Sequence, residues 1–158
     1  MGEIVKAHPR FPDLSFEECL KAWETLIPAA RKNREINPFM ATMGQYTQKF
    51  IKFFFREPGA VIRTMNEEFI TNERFREHMY DVTFLRTDRL KMGLWRFLDR
   101  IGYRKRDISF LLLRGKVQPP GAARKRGDRW RKFYTPEVKA YVRQRERMLF
   151  KLFPEFDV

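Results

Sequence analysis

DVTFLRTDRLKMGLWRFLDRIG, residues 81–102, holds the two patterns that decide the fold class. Asp81–Arg86 is short, β-branched and aromatic, and predicts a strand. Thr87 and Asp88 turn the chain. Leu90, Leu94, Phe97, Leu98 and Ile101 then recur at helical spacing, and Gly102 supplies a C-terminal stop. A strand feeding directly into an amphipathic helix is an α/β unit. The rest of the chain reads as helical, so the expected class is α/β, helix-rich. One strand cannot make a sheet. The expectation is therefore an incomplete sheet, and a partner chain that completes it.

Toward the C-terminus, Asp107 is placed to cap a short helix, Ile108–Leu113. The basic loop 114–130 follows, RGKVQPPGAARKRGDRW, with three glycines, two prolines and no apolar periodicity. From Arg114 to Lys132 there are eight Lys and Arg against one acid, Asp128. Thr135, Pro136 and Glu137 are the favoured residue types for N-cap, first helical position and first turn. They open a C-terminal helix over 136–153. Val138, Tyr141, Val142, Leu149, Leu152 and Phe153 form its expected buried stripe, with Lys139, Arg143 and Arg147 on or near the solvated side. Pro154 ends it. A cationic loop beside a helix start suits an anionic ligand.

Toward the N-terminus, residues 1–14 are expected to be irregular, broken by Pro9 and Pro12. Residues 15–158 read as one domain. Ser15 and Glu18 fit a capping box. Phe16, Cys19, Leu20, Trp23, Leu26 and Ile27 continue at helical spacing to a stop near Pro28. A second helix is expected from about Phe39 to Phe55, with Met43, Thr47, Phe50 and Phe54 on one face. Phe53–Phe55 reads as core. Residues 60–80 predict two short helical pieces carrying Val61, Met65 and Phe69, then Phe75 and Met79. His78 reads as structural, and His8 fits no motif.

The 158 residues carry 43% hydrophobic and 15% aromatic side chains, enough for a packed core. Their net charge of +13 predicts attraction to phosphate, sulfate, nucleic acid or anionic lipid. Arg114–Arg147 holds twelve basic and three acidic residues, so about nine of the thirteen surplus charges lie there. That concentration favours a site over a generally cationic surface. No apolar run reaches the roughly 18 residues that span a bilayer. The single cysteine, Cys19, excludes an intramolecular disulfide, reads as core filler, and suggests an intracellular, cytoplasmic protein. No metal-ligand motif is present.

The segment DRWRKFYTPEVKAYVRQRERMLFKLFPEFDV, residues 128–158, resembles the C-terminal end of the PAPS-dependent sulfotransferases. Phe84–Leu90, followed by Phe97–Leu98 and Ile101–Gly102, is similar to that family's late strand, its xxExL motif and its FLxxLG helix. Asp88 stands where a Glu is usual. Met43–Tyr46 looks like the middle of bacterial-type members. The resemblance implies the C-terminal part of a P-loop-type sulfotransferase fold, covering about residues 8–158. It also implies that Arg124, Lys125, Arg126 and Gly127 lie in the donor-nucleotide site. Arg124, Lys125 and Gly127 would grip the 3′-phosphate of PAPS or PAP, with Arg126 inserted before the glycine. The chemistry agrees, because guanidinium forks match phosphate oxygens and glycine lets backbone N–H groups approach.

The family's P-loop has no match here, nor does its Arg-Asn-Pro stretch: Asn37–Pro38 follows Ile36. No catalytic base is evident. The chain thus reads as a truncated or split sulfotransferase, weak or inactive alone, that moves a sulfonate to a hydroxyl or amine if another chain supplies the P-loop. Two alternatives stay open. Trp130, Phe133 and Tyr134 interleave with Arg129, Arg131 and Lys132, as in stacking-plus-phosphate nucleic-acid sites. An incomplete sheet would instead suit a protein-interaction module.

Overall fold

The computed structural model describes residues 6, 8–29, 37–113, 115 and 133–157, with the side chains of the first helix described through Ala22. The chain divides into two compact units, residues 1–80 with 129–158, and residues 81–128. The fold is helix-rich.

In the larger unit, α1 (Phe16–Ala29) begins with the expected capping box: the Glu18 N–H donates to Ser15 Oγ at 3.3 Å and the Ser15 N–H to Glu18 Oε2 at 2.8 Å. Ala22 is buried and Cys19 half-buried. A 3-10 turn (Pro38–Thr42) is capped by Asn37, whose side chain accepts from the Phe39 N–H at 3.0 Å and donates to the Met65 carbonyl at 2.6 Å. Helix α2 (Gln45–Phe54) follows, then α3 (Pro58–Thr64), α4 (Glu67–Thr71) and a 3-10 turn (Arg74–His78). Asn66 caps α4 by accepting from the Phe69 N–H at 2.8 Å. The core gathers Met40, Met43, Ile51, Phe55, Val61, Met65, Phe69, Ile70, Phe75, Met79 and Met148. Each apolar residue expected to be buried over 60–80 is therefore in it.

The expected helix 39–55 is two elements. Met43 is extended (φ −92°, ψ 140°), as is Gly44 (φ −71°, ψ 165°), so the 3-10 turn ends and α2 starts afresh at Gln45. The expected helix 136–153 is also broken. Glu146 (φ −107°, ψ 24°) separates α8 (Pro136–Arg145) from α9 (Arg147–Leu152), and a 3-10 turn (Pro154–Phe156) follows. Phe153 packs edge-on to Phe50 with ring centres 6.0 Å apart. Of the phenylalanine triplet, Phe55 is buried, Phe54 half-buried and Phe53 exposed, which corrects the expectation that all three are core.

The smaller unit contains α5 (Leu90–Arg100), α6 (Lys105–Ile108) and α7 (Phe110–Leu113). Gly102, at φ +95°, takes the left-handed conformation that stops α5 as expected. The expected strand 81–86 does not form. Among the described residues β pairing is limited to one antiparallel bridge, Phe55 with Met79, held by Tyr80 N–H to the Phe54 carbonyl and Arg56 N–H to the His78 carbonyl, both 2.9 Å. Strand propensity expresses fit to a half-buried pleated surface. Residues 81–86 have no ladder neighbour, and Val82 and Phe84 stay exposed. Arg86 instead pairs with Asp88 through two hydrogen bonds of 3.0 and 2.8 Å. The α/β expectation is corrected to a helical fold.

Candidate functional site

Arg124, Lys125, Arg126 and Gly127 lie outside the described residues, as do Arg129–Lys132. The described chain resumes at Phe133. Phe133 packs on Phe16, the first residue of α1, with ring centres 5.6 Å apart and planes tilted by 38°. Burial raises the pKa of the half-buried Tyr134 hydroxyl above its ordinary value.

The helix start beside the loop is already satisfied. Thr135 Oγ1 accepts from the Val138 N–H at 3.3 Å, and Pro136 needs no acceptor. The Glu137 carboxyl is held below the usual carboxylate range by its own backbone N–H and by the Thr135 hydroxyl. A carboxylate thus already occupies the positive end of α8. An anion at this helix start would compete with that carboxylate.

A second polar constellation joins the two breaks. Glu146 is buried, and its carboxylate accepts from the Tyr46 N–H at 3.1 Å, the Thr47 N–H at 2.7 Å and the Thr47 hydroxyl at 2.6 Å. Thr47 is fully buried. These donors belong to the first turn of α2, so Glu146 caps that helix from about 100 residues away in sequence. The Gly44 N–H donates to the Arg145 carbonyl at 2.7 Å. A Cβ on Gly44 would collide with the Glu146 carboxyl group, which explains why glycine sits there despite an ordinary φ.

Neighbouring groups close the joint. Arg145 donates to the Ala41 carbonyl at 2.7 Å, and Gln48 Nε2 to the Met40 and Met43 carbonyls at 3.1 and 2.9 Å. Arg147, expected near the solvated side, is instead mostly covered. It chelates Glu67, with Nη2 to Oε2 at 2.7 Å, donates to the Gln144 carbonyl at 2.8 Å, and lies 5.1 Å from the Phe39 ring centre. With three donors engaged, Glu146 serves as a structural cap. Sequence periodicity missed this cluster. Its one local signal is Gly44, interrupting an otherwise helical pattern.

His78 is half-buried beside Phe69, ring centres 5.5 Å apart, and the backbone carbonyl of His8 closes a turn by accepting from the Phe11 N–H at 3.0 Å. Asp88 is held below its ordinary pKa by the Arg86 guanidinium. Among the described residues no group of His, Cys, Asp and Glu could hold a metal ion, and no helix is long and apolar enough to cross a membrane. No family model, no curated protein and no solved structure matches this chain.

Proposed function

We propose that the chain binds the 3′-phosphate end of an adenine nucleotide of the PAPS/PAP type through Arg124, Lys125 and Gly127, with Arg126 adding charge. The observation that carries this reading is the concentration of positive charge. Twelve basic and three acidic residues lie between Arg114 and Arg147, with the YTPE helix directly after the loop. Sulfonate transfer to a hydroxyl or amine would need a P-loop, which no stretch of these 158 residues resembles. A cytoplasmic location belongs to the same proposal.

Calorimetric titration with adenosine 3′,5′-bisphosphate tests the reading. Saturable heat is expected, with affinity falling at least about tenfold in Arg124→Ala/Lys125→Ala, the loss of two charge-assisted phosphate contacts. Absence of heat at millimolar ligand, or equal affinity in the double variant, would sink it.

A second reading rests on the exposed ring of Phe133 within the RWRKFY run, which suits base stacking between phosphate-binding side chains. It predicts retention of generic RNA that weakens steeply with salt. A flat salt response would remove it.

A further inference from the structure

The smaller unit leaves several of its apolar residues exposed. Ile108 is the one buried hydrophobic residue described in it, and no residue of α5 is buried. Leu90 is 45% exposed, Ile101 54% and Leu113 85%. Leu90 opens α5 and Ile101 caps it three helical turns on, within about 20° around the axis, with the half-buried Leu94 and Phe97 on the same side between them. Lys91 and Arg100 then fall roughly 80–100° to either side of that line. Both are exposed, as are Arg96 and Arg104, and none of these four cations pairs with an acid among the described residues. An apolar line flanked by unpaired cations is the pattern of helices that lie in a lipid interface.

Charge decides what covers this face. Residues 81–113, the described part of this unit's helices, carry eight Lys and Arg against four Asp, a net +4. A second copy would bring the same charge and be repelled. Nucleic acid would match the charge but gives no place to aliphatic Leu90, Ile101 and Leu113. An anionic bilayer satisfies both, since its phosphates meet the cations and its acyl boundary accepts the aliphatic side chains. We infer that the Leu90–Leu113 segment docks on anionic lipid membranes. Leu90, Ile101 and Leu113 enter the headgroup boundary, and Lys91, Arg96, Arg100 and Arg104 pair with lipid phosphates.

The test is co-sedimentation of the full chain with vesicles of phosphatidylcholine alone or mixed with phosphatidylserine. Binding to the mixed vesicles and little to the neutral ones is expected. Leu90→Ser/Ile101→Ser/Leu113→Ser, which leaves the charge intact, should cut the partition coefficient at least about tenfold. Its melting temperature should match wild type, because these side chains are exposed. Lys91→Gln/Arg100→Gln should weaken binding and reduce its salt dependence. Equal binding by the apolar variant would reduce the contact to charge adsorption and overturn the proposal. So would RNA retention or self-association that is lost in the same apolar variant, or a lowered melting temperature with unchanged partition. The last result would mean that the chain covers this face itself.

Discussion

Replacing Glu146 with alanine should be among the most damaging single changes in the larger unit. The substitution removes the acceptor for two first-turn N–H groups of α2 and for the hydroxyl of fully buried Thr47. A buried donor left unpaired costs about 1–3 kcal/mol, and a lost helix cap about 0.5–2 kcal/mol. These losses overlap, because the same N–H groups are counted in both, so the expected total is about 3 kcal/mol. For a chain of this size that lowers the melting temperature by about 6–12 °C. Gly44→Ala should cost about 1–3 kcal/mol by overpacking, since its Cβ would meet the Glu146 carboxyl. The two effects share one cause and cannot add. Once Glu146 is alanine, the clash is gone, and Gly44→Ala should become nearly neutral, a coupling of about 1–3 kcal/mol. Urea denaturation followed by circular dichroism measures all four corners of the cycle. A Glu146→Ala loss below about 0.5 kcal/mol, or strict additivity with Gly44→Ala, would refute the capping argument.

Arg147→Ala should destabilise by about 1–2 kcal/mol, because the side chain is largely covered and links Glu67, Gln144 and Phe39. Arg143→Ala, which breaks a half-exposed pair with Asp157, should cost about 0–0.5 kcal/mol in the same denaturation assay. The Ser15 N–H and hydroxyl, with Arg10, lower the Glu18 pKa from 4.5 to about 2. A carboxyl lowered by folding stabilises the folded state fully above pH 4.5 and loses that contribution as pH falls toward 2. Glu18→Gln should therefore flatten the acid limb of a stability-against-pH curve and leave its slope above pH 5 unchanged.

Local patterns carried much of this architecture, and long-range ones did not. The Ser15–Glu18 box, the Thr135–Glu137 helix start and the Gly102 stop are formed by residues a few positions apart, so their chemistry is visible in the sequence. Val61, Met65, Phe69, Phe75 and Met79 were legible for the same reason. The two helix breaks were not. Gly44 and Glu146 each look tolerable inside a helix, and only their meeting across about 100 residues explains why both helices stop. Glu146 and Arg147 look like solvated charges until their partners are known. Residues 81–86 failed in the opposite direction: strand propensity was present, and the ladder neighbour that converts it into structure was not. The proposed phosphate-binding residues, Arg124–Gly127, rest on charge, glycine placement and family resemblance.

The role of that loop turns on whether the 3′-phosphate itself is recognised. Side-by-side titration of the full chain with adenosine 3′,5′-bisphosphate and adenosine 5′-monophosphate isolates that one group. The account predicts at least about tenfold tighter binding of the bisphosphate, the scale of one additional charge-assisted phosphate contact. Equal affinity for the two nucleotides, or binding of neither, would contradict it.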